Sequence, residues 1–326
     1  MPRYIGPAPE WAPQELLWIG FPAIPAEWGD AFEPARGEIA AFARAVAESG
    51  QHTNLLCNSE ADAAIARDLA GDAVEVRVVP LGDVWLRDTG PITTGTGSDR
   101  RAQIFRFNGW GGKYLMPGDA ELGERLATNH ALPVEKRDWV LEGGAVDWDG
   151  AGRLVTTEQC LLNPNRNPLM SREDVEQGLR DALGVRDILW LVEGLVADHT
   201  DGHVDNLARW VAPGRLLVPQ PTGDDDPNTQ IYADAHQRAA AAGVDVVTLP
   251  SPGRYEVDGE VAPASHMNFA ITERLIVVPA YGTGTDDAAV ARLAELFPDR
   301  RVVALPARAL LAGGGSFHCC SMHLPR

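Results

Sequence analysis

A pattern of apolar run, amphipathic stretch and second apolar run occurs five times along the chain, at intervals of about sixty residues. The apolar runs are short and rich in Val, Ile and Leu, which is typical of buried strands. The amphipathic stretches carry apolar residues at steps of three and four, the period of a helix with one buried face. The opening runs are 15–22, 102–110, 152–162, 214–221 and 273–282, the helical stretches are 33–50, 118–130, 171–184, 228–243 and 286–297, and the closing runs are 53–57, 138–143, 187–194, 245–250 and 301–306.

Three arginines mark the period of this repeat. Arg153 and Arg215 lie at the start of successive opening runs, 62 residues apart, and Arg274 follows after a further 59. One strand–helix–strand unit cannot cover both faces of its strands, so neighbouring units must pack together. We therefore predict an α/β protein of five quasi-equivalent units. No linker rich in Pro, Gly or Ser separates the units, and we expect residues 1–326 to form a single domain.

The chain is acidic, with a formal net charge of -18. Binding to a phosphate backbone requires clustered Lys and Arg, so we expect no nucleic-acid partner. A negative field raises the local concentration of cations, which suits a small cationic substrate, although the same charge also serves solubility.

The cysteines and the N-terminal segment bear on the cellular compartment. The four cysteines, Cys57, Cys160, Cys319 and Cys320, form no C-x-x-C pair and do not resemble a disulfide scaffold. The segment MPRYIGPAPEWAPQ lacks the apolar core of a signal peptide, and no apolar run approaches the roughly 18 residues of a membrane span. We expect a cytoplasmic location, free thiols and no membrane partner. The sequence does not determine whether the protein forms a homo-oligomer.

A polar segment follows each closing run. Strand ends and the loops after them are where rigid scaffolds usually carry functional groups. Five such segments at equivalent positions predict that their side chains converge on one central point. The segments are GDVWLRDTGP (82–91), LEGGAVDW (141–148), DHTDGHVDN (198–206), APASHMNF (262–269) and GGGSFHCC (313–320).

Cys319 is the first candidate for chemistry in these segments. It follows three consecutive glycines, which allow the backbone to approach a ligand closely. A thiol with a pKa near 8.5 is only about 3% ionised at pH 7, so a nucleophilic role requires an imidazolium or a cationic substrate beside it. The other interpretation is a buried thiol that acts as a small hydrophobic residue.

The segment DHTDGHVDN concentrates imidazoles and carboxylates. His203 and Asp205 would lie on one face of an extended strand, which suits an acid/base beside a substrate-holding carboxylate. A Zn²⁺ or Ca²⁺ site is the alternative, because His and Asp at short spacing also ligate metals. The other members of the segment that could take part are His199, Asp198 and Asp201.

Six motifs occur in a recognisable order: WLRDTGP, FNGWGG, LEGG, TTEQCLLNPNRNP, TDGHVDN and GGGSFHC. Through them the chain resembles, over essentially its whole length, the agmatine deiminases and their bacterial peptidylarginine deiminase relatives. The resemblance implies the pentein fold, a five-bladed α/β propeller with pseudo-fivefold symmetry. This implication agrees with the repeat of strand–helix–strand units.

The resemblance also implies catalytic roles. Cys319 matches the nucleophile, His203 the general acid/base, and Glu142 the residue that orients the histidine. Asp88 and Asp205 match the carboxylates that grip a planar guanidinium, a group suited to bidentate binding. The thiol would attack the guanidinium carbon, ammonia would leave, and His203 would activate water to release a ureido product. This route requires no metal and no cofactor.

The implied substrate is a small guanidine, with agmatine as the first choice. Trp85 matches a wall of the substrate pocket, and Asp83 of the same segment is a further candidate for substrate binding. Peptidyl-arginine or another alkylguanidine is an alternative substrate, and amidinotransfer an alternative reaction. A non-enzymatic binding protein is a third interpretation, because the superfamily contains translation factors, but the complete catalytic set speaks against it.

The sequence departs from the agmatine branch at a few positions. Ser316, Phe317 and the ending CCSMHLP replace the usual residues after the triple glycine, Phe21 replaces a tryptophan, and His199 replaces a glutamate. We expect these departures to bear on the end of the substrate far from the guanidinium. The roles of Cys320 and His199 do not follow from the sequence.

Overall fold

The predicted repeat appears in the computed structural model, which describes residues 6–326; residues 1–5, where the segment examined for a signal peptide begins, lie outside the described residues. Every opening and closing run coincides with or overlaps a strand. The strands are β1 (Gln14–Gly20), β2 (Thr53–Cys57), β3 (Glu75–Val78), β4 (Ile92–Thr94), β5 (Arg101–Arg106), β6 (Val134–Val140), β7 (Val146–Trp148), β8 (Arg153–Thr157), β9 (Asp187–Leu191), β10 (Arg209–Ala212), β11 (Arg215–Gln220), β12 (Asp245–Pro250), β13 (Glu256–Val257), β14 (Glu260–Val261), β15 (Ala270–Ile271), β16 (Leu275–Ala280), β17 (Arg301–Pro306) and β18 (Ser321–Pro325).

Each predicted helical stretch contains a helix, and shorter helices occur between strands. The helices are α1 (Pro25–Trp28), α2 (Phe32–Glu48), α3 (Glu60–Ala70), α4 (Leu86–Thr89), α5 (Gly109–Gly112), α6 (Asp119–Asn129), α7 (Glu158–Leu161), α8 (Arg172–Leu183), α9 (Thr229–Ala241), α10 (Asp286–Leu296) and α11 (Arg308–Ala312). None of the helices found in residues 6–326 combines the length and the apolar character needed to cross a membrane.

The strands form five small mixed sheets of one design, and the predicted α/β class is confirmed. In each sheet the two apolar runs pair in parallel, as β8 pairs with β9 and β11 with β12. A third strand pairs antiparallel with the first of them. The sheet orders are β18-β1-β2-β3, β4-β5-β6, β7-β8-β9, β10-β11-β12 and β15-β16-β17, and β13-β14 is a separate hairpin.

The third strand of each sheet is absent from the prediction because its sequence signal is weak. These strands have two to five residues, as in Ala270–Ile271, and they lie shortly after the polar segments or, in the case of β7, at the end of one. The helix α3 and the strand β3 were also missed. β3 reads Glu-Val-Arg-Val and is largely exposed at the edge of its sheet, so it lacks the apolar pattern of a buried strand.

The helix α8 illustrates how each unit is held together. Ser171 and Asp174 form a reciprocal capping box at its start, and Gly184 ends it in the left-handed conformation. Val175 and Leu179 lie one turn apart and are fully buried against the sheet β7-β8-β9. Burying each such side chain contributes roughly 1.5–3 kcal/mol. Packing of this kind makes each sheet a rigid support for the polar segment that follows its closing strand.

Candidate active site

The five polar segments occupy equivalent places, between the closing strand of one sheet and the antiparallel strand of the next. Asp88 lies in α4, Glu142 between β6 and β7, and Cys319 between α11 and β18. His203 directly precedes a 3-10 helix, Val204–Asn206, that contains Asp205. The prediction that His203 and Asp205 share an extended strand is therefore wrong.

The thiol of Cys319 is buried and faces two polar side chains. The Asn268 amide donates a hydrogen bond to Sγ at 2.9 Å, and Sγ lies 3.4 Å from Asp205 Oδ2. Asn268 Oδ1 in turn accepts the backbone N–H of Cys319 at 3.2 Å, which fixes the amide. Burial raises the pKa of the Cys319 thiol well above its ordinary value, and the charges of Asp205 and Asp88 raise it further. These surroundings by themselves favour the neutral thiol.

Asp88 is held by donors from two other segments. Its Oδ1 accepts the backbone N–H of Gly144 at 2.9 Å, and its Oδ2 accepts the indole N–H of Trp110 at 2.9 Å. Burial raises the pKa of Asp88, although the nearby His203 opposes that shift. Only glycine fits at 144, because a β-carbon there would lie 2.6 Å from His203 Nδ1 and 2.9 Å from Asp88 Oδ1.

His203 is fully buried, and neither ring nitrogen has a well-formed hydrogen bond to another described residue. Nδ1 lies 3.7 Å from Asp88 Oδ1. Burial lowers the pKa of His203, but Asp88, the Cys160 thiol and Glu142 together raise it well above its ordinary value. A histidine that stays protonated at neutral pH can donate a proton to a leaving group.

Glu142 is anchored by a buried arginine. Arg166 Nε donates to Glu142 Oε1 at 2.6 Å, and both side chains have no exposed surface. Arg166 Nη1 also donates to Asp201 Oδ2 at 2.7 Å, and Lys113 Nζ lies 2.6 Å from Asp201 Oδ1. Glu142 Oε2 has no hydrogen-bond partner within residues 6–326. One oxygen of Glu142 is thus fixed while the other is available to His203.

The residues that could ligate a metal in the structure differ from those that the sequence suggested. Ligand atoms of Glu142, Cys160 and His203 all lie within 4.8 Å of one another. Of these residues, only His203 belongs to DHTDGHVDN. Asp198 instead accepts hydrogen bonds from Thr200, and Asp201 is committed to Lys113 and Arg166.

A pocket with about 680 Å³ of empty space, partly open to solvent, ends at Cys319 and Asp88. The indoles of Trp28 and Trp85 stack at one side with ring centroids 5.8 Å apart. Trp28 donates to Asp83 Oδ1 at 3.2 Å, and burial raises the pKa of Asp83 to about 6. The lining residues are Glu27, Trp28, Asp83, Trp85, Asp88, Trp110, Tyr114, Met116, His199, Thr200, Ala312, Gly313, Gly314 and Cys319.

The departures at the end of the chain lie mostly outside this pocket. Cys320 is buried in the hydrophobic core, and its thiol faces the carbonyl of Phe317 at 3.6 Å. Ser321–Pro325 forms β18 against β1. Of residues 313–326, only Gly313, Gly314 and Cys319 line the pocket. The expectation that this ending borders the far end of the substrate is therefore wrong, whereas His199 does lie on the pocket wall.

Sequence reasoning missed several residues that contact the predicted set. Trp110 belongs to FNGWGG and has the left-handed backbone angles φ 53° and ψ 49°, which are unusual for a tryptophan. Arg166 belongs to NPNRNP, and Asn268 to the fourth polar segment. The motifs that contain these residues were the only sequence signal that could have pointed to them. Which of their side chains turns inward depends on backbone geometry that a linear pattern does not contain.

The chain is similar to known proteins in both sequence and structure. The Porphyromonas-type peptidyl-arginine deiminase family matches residues 7–325. The chain is 38% identical to the agmatine deiminase of Stutzerimonas stutzeri, covering 99% of this chain and 95% of that protein. The structure of an Enterococcus faecalis agmatine deiminase superposes with a TM-score of 0.92 at 29% identity, covering 99% and 96% of the two chains. A substrate-bound C. jejuni agmatine deiminase gives the same TM-score at 27% identity, again covering 99% and 96%.

A buried thiol at the end of an acidic pocket, on this fold and among these relatives, defines the class of protein as a deiminase, a hydrolase of the C–N bonds of amidines. Within that class, the chain belongs to the Porphyromonas-type peptidyl-arginine deiminase family, whose match leaves only the first six residues and the last one uncovered.

Proposed function

We propose that this protein hydrolyses agmatine to N-carbamoylputrescine and ammonia. The observation that carries the proposal is the pair of buried carboxylates beside the Cys319 thiol, neither of which forms an ion pair with a Lys or Arg of residues 6–326. Asp88 is 7% exposed and lines the pocket, and Asp205 is fully buried with its Oδ2 3.4 Å from Cys319 Sγ. The ion-pair partners of Asp88 and Asp205 among the described residues are the histidines His203 and His318, and a cationic ligand would compensate the buried carboxylates further.

The guanidinium would bind between Asp88 and Asp205. Asp205 Oδ1 is buried and has no hydrogen-bond partner among the described residues, so it is available to a guanidinium N–H. The planar, forked donors of a guanidinium suit two carboxylates, which would hold its carbon against Cys319 Sγ. The substrate's positive charge offsets the two carboxylates that raise the pKa of the thiol, so binding would favour its ionisation.

The chemistry then needs only residues of this chain. Cys319 Sγ bonds to the guanidinium carbon, and the tetrahedral adduct collapses as His203 passes a proton to the departing ammonia. A thiouronium remains on Cys319. His203 accepts a proton from water as the water oxygen adds to the same carbon, and cleavage of the C–S bond returns the thiol and releases the ureido product. Glu142, held by Arg166, would orient His203 during both steps.

The rest of the pocket suits the far end of agmatine. Its aliphatic chain would lie along Trp85 and Trp28, and its amine would meet Asp83 and Glu27 at the pocket wall. The carboxylate of free arginine would instead lie near these acidic groups, where like charges repel. We therefore expect agmatine to be preferred over arginine and over peptide-bound arginine, the main alternative substrate.

A substrate comparison tests this proposal. The value of kcat/KM would be measured for agmatine, free arginine and an arginyl peptide, with ureido product and ammonia both quantified. Transfer of the amidino group to an added amine, without ammonia-linked ureido product, would identify an amidinotransferase instead. If arginine or the peptide were turned over ten times better than agmatine, about 1.4 kcal/mol in transition-state binding, the proposed substrate would be wrong.

The remaining expectations about architecture and setting belong to the same proposal. We propose that the five sheets surround a pseudo-fivefold axis as the blades of a pentein propeller, and that residues 1–326 unfold as one domain. The three-strand core that the five sheets share and the pairing of the last strand, β18, with the first, β1, support this arrangement. A single cooperative thermal transition followed by two probes would test the one-domain expectation. Cytoplasmic location and the absence of nucleic-acid and membrane partners stay predictions.

A further inference from the structure

Glu10, in the segment before β1, lies at the centre of a buried charge cluster. Its side chain accepts hydrogen bonds from Arg209 Nη2, from the backbone N–H of Ile271 at 3.1 Å and from His318 Nε2 at 3.1 Å. Arg87 Nη2 lies 3.7 Å from Glu10 Oε1. Burial opposes ionisation of Glu10, but Arg209, His318 and Arg87 hold its pKa well below the ordinary value. Glu10 is therefore a carboxylate, and an acceptor only.

His318 connects this cluster to the candidate active site. Its Nε2 faces Glu10, and its Nδ1 lies 2.8 Å from Asp205 Oδ2. The pKa of Asp205 is also lowered: burial opposes ionisation, and the hydrogen bond and charge of His318 outweigh it. Each ring nitrogen of His318 therefore faces a carboxylate oxygen, Nε2 that of Glu10 and Nδ1 that of Asp205. The ring is thus held from both sides in one orientation.

The fixed ring decides which oxygen of Asp205 is free. Oδ2 is occupied by His318 and faces Cys319 Sγ at 3.4 Å, whereas Oδ1 is buried without a partner among residues 6–326. We propose that Glu10 is a positioning residue for the substrate: through His318 it holds Asp205 with one oxygen turned to the thiol and the other turned to the guanidinium. This inference rests on the proposed binding of a guanidine between Asp88 and Asp205.

Removing Glu10 would release this arrangement without touching any group that contacts the substrate. His318 would lose one of its two anchors, and Asp205 could then rotate away from the orientation that suits a planar ligand. In metal sites, changes in the residues that orient a ligating side chain lower affinity about 10- to 100-fold, and we expect a loss of the same order here. The effect should fall mainly on affinity and KM, because the thiol keeps its hydrogen bond from Asn268 and the surroundings of His203 are unchanged.

Asp147 provides a matched control. Arg209 donates through Nη2 to Glu10 and through Nε to Asp147, so that Glu10→Gln and Asp147→Asn each remove one carboxylate from the same buried arginine. Only Glu10 contacts His318. The dissociation constant of agmatine would be measured by calorimetry in a Cys319→Ser background, and kcat and KM in the corresponding proteins with Cys319 intact.

We expect Glu10→Gln to weaken agmatine binding about 10- to 100-fold. Asp147→Asn should lower the melting temperature less, because the pKa of Asp147 is raised, and should change binding less than about twofold. In a double-mutant cycle with His318→Asn, Glu10→Gln should add no further loss, because its effect passes through His318. A merely structural role would give equal binding losses for Glu10→Gln and Asp147→Asn, or additive losses in the cycle, and either result would overturn the inference.

Two further outcomes keep the test decisive. If Glu10→Gln does not fold, His318→Asn alone must weaken binding by the same factor, and unchanged affinity in that variant would reject the inference. If the Cys319→Ser protein with Glu10 intact does not bind agmatine, the proposed substrate fails and the inference with it. If agmatine binds to the Cys319→Ser protein but not to the same protein carrying Glu10→Gln, the result supports both the proposed substrate and the role of Glu10.

Discussion

Two buried charged regions meet at Asp205, and they are compensated in opposite ways. In the pocket, Asp88 and Asp83 have no lysine or arginine partner within residues 6–326, and burial raises the pKa of both. On the other side of Asp205, Glu10 contacts two arginines and a histidine, and its pKa is lowered. A buried carboxylate without an arginine partner is thus suited to binding a cationic ligand, whereas a buried carboxylate paired with arginine stabilises the fold.

Asp147 is an exception within the paired region. Arg209 donates to it and His318 also favours its ionisation, yet burial raises its pKa to about 6, because removal from water and the nearby charge of Glu10 outweigh both cations.

The largest expected effect concerns two adjacent cysteines at the border of the pocket. Cys319 lines the pocket, whereas Cys320 faces the core, so Cys319→Ser should leave a folded protein whose kcat/KM is reduced on the order of a thousandfold or more. Cys320→Ser should keep most of the activity. Steady-state kinetics and circular dichroism of both variants give the test; equal losses would leave the nucleophile unassigned, and full activity in Cys319→Ser would reject it.

The next prediction separates activity from stability across the two regions. Asp88→Asn removes one of the two carboxylates proposed to hold the guanidinium. The value of kcat/KM should therefore fall roughly 30- to 5000-fold, which corresponds to about 2–5 kcal/mol of transition-state stabilisation, with little change in melting temperature. Because the folded pKa of Asp88 is raised, its ionised form already lowers stability above the unfolded pKa, and neutralising it removes that cost.

Arg209→Gln is the opposite case. It leaves Glu10 and Asp147 without their shared cation, so the free energy of unfolding should fall by about 3–5 kcal/mol. Denaturant titration of both variants checks the contrast. A loss of stability in Asp88→Asn as large as that in Arg209→Gln would break the comparison.

A smaller effect is expected from pH at the pocket wall. Asp83, with its pKa raised to about 6, is mostly protonated at pH 5 and ionised at pH 7. Its attraction for the amine of agmatine is therefore lost as pH falls, and KM for agmatine should decrease several-fold between pH 5 and 7. An alkylguanidine without the amine, and the Asp83→Asn variant with agmatine, correct for other titrating groups. The same pH dependence in all three would exclude Asp83 as the cause.

The smallest expected effect is that of metal removal. Arg166 already compensates Glu142, and the proposed reaction requires no metal, so exhaustive chelation should leave kcat/KM unchanged. Metal analysis of the purified protein accompanies the measurement. Stoichiometric zinc, together with loss of turnover on its removal and recovery on its return, would point to Glu142, Cys160 and His203 as ligands.

The parts of the fold that could be predicted are those with strong periodic signals. The helix α8 and the strands β8 and β9 show their apolar pattern within a dozen residues, because each buries one face against its immediate neighbours. The strand β15 could not be found, since two residues carry no period. The sharp turn after His203, where an extended strand was expected, depends on Gly202 in the left-handed region and on contacts with other units.

The sequence by itself determined the repeat, the α/β class, the family and the segments from which the candidate site is built, because each depends on residue order within one unit. Only the tertiary structure decided which side chains meet. Glu10 and His318 are 308 residues apart, and Asn268 and Cys319 are separated by 51, yet each pair is in hydrogen-bond contact. Such contacts are fixed by how the sheets pack and which way each loop turns, and a linear pattern carries no information about either.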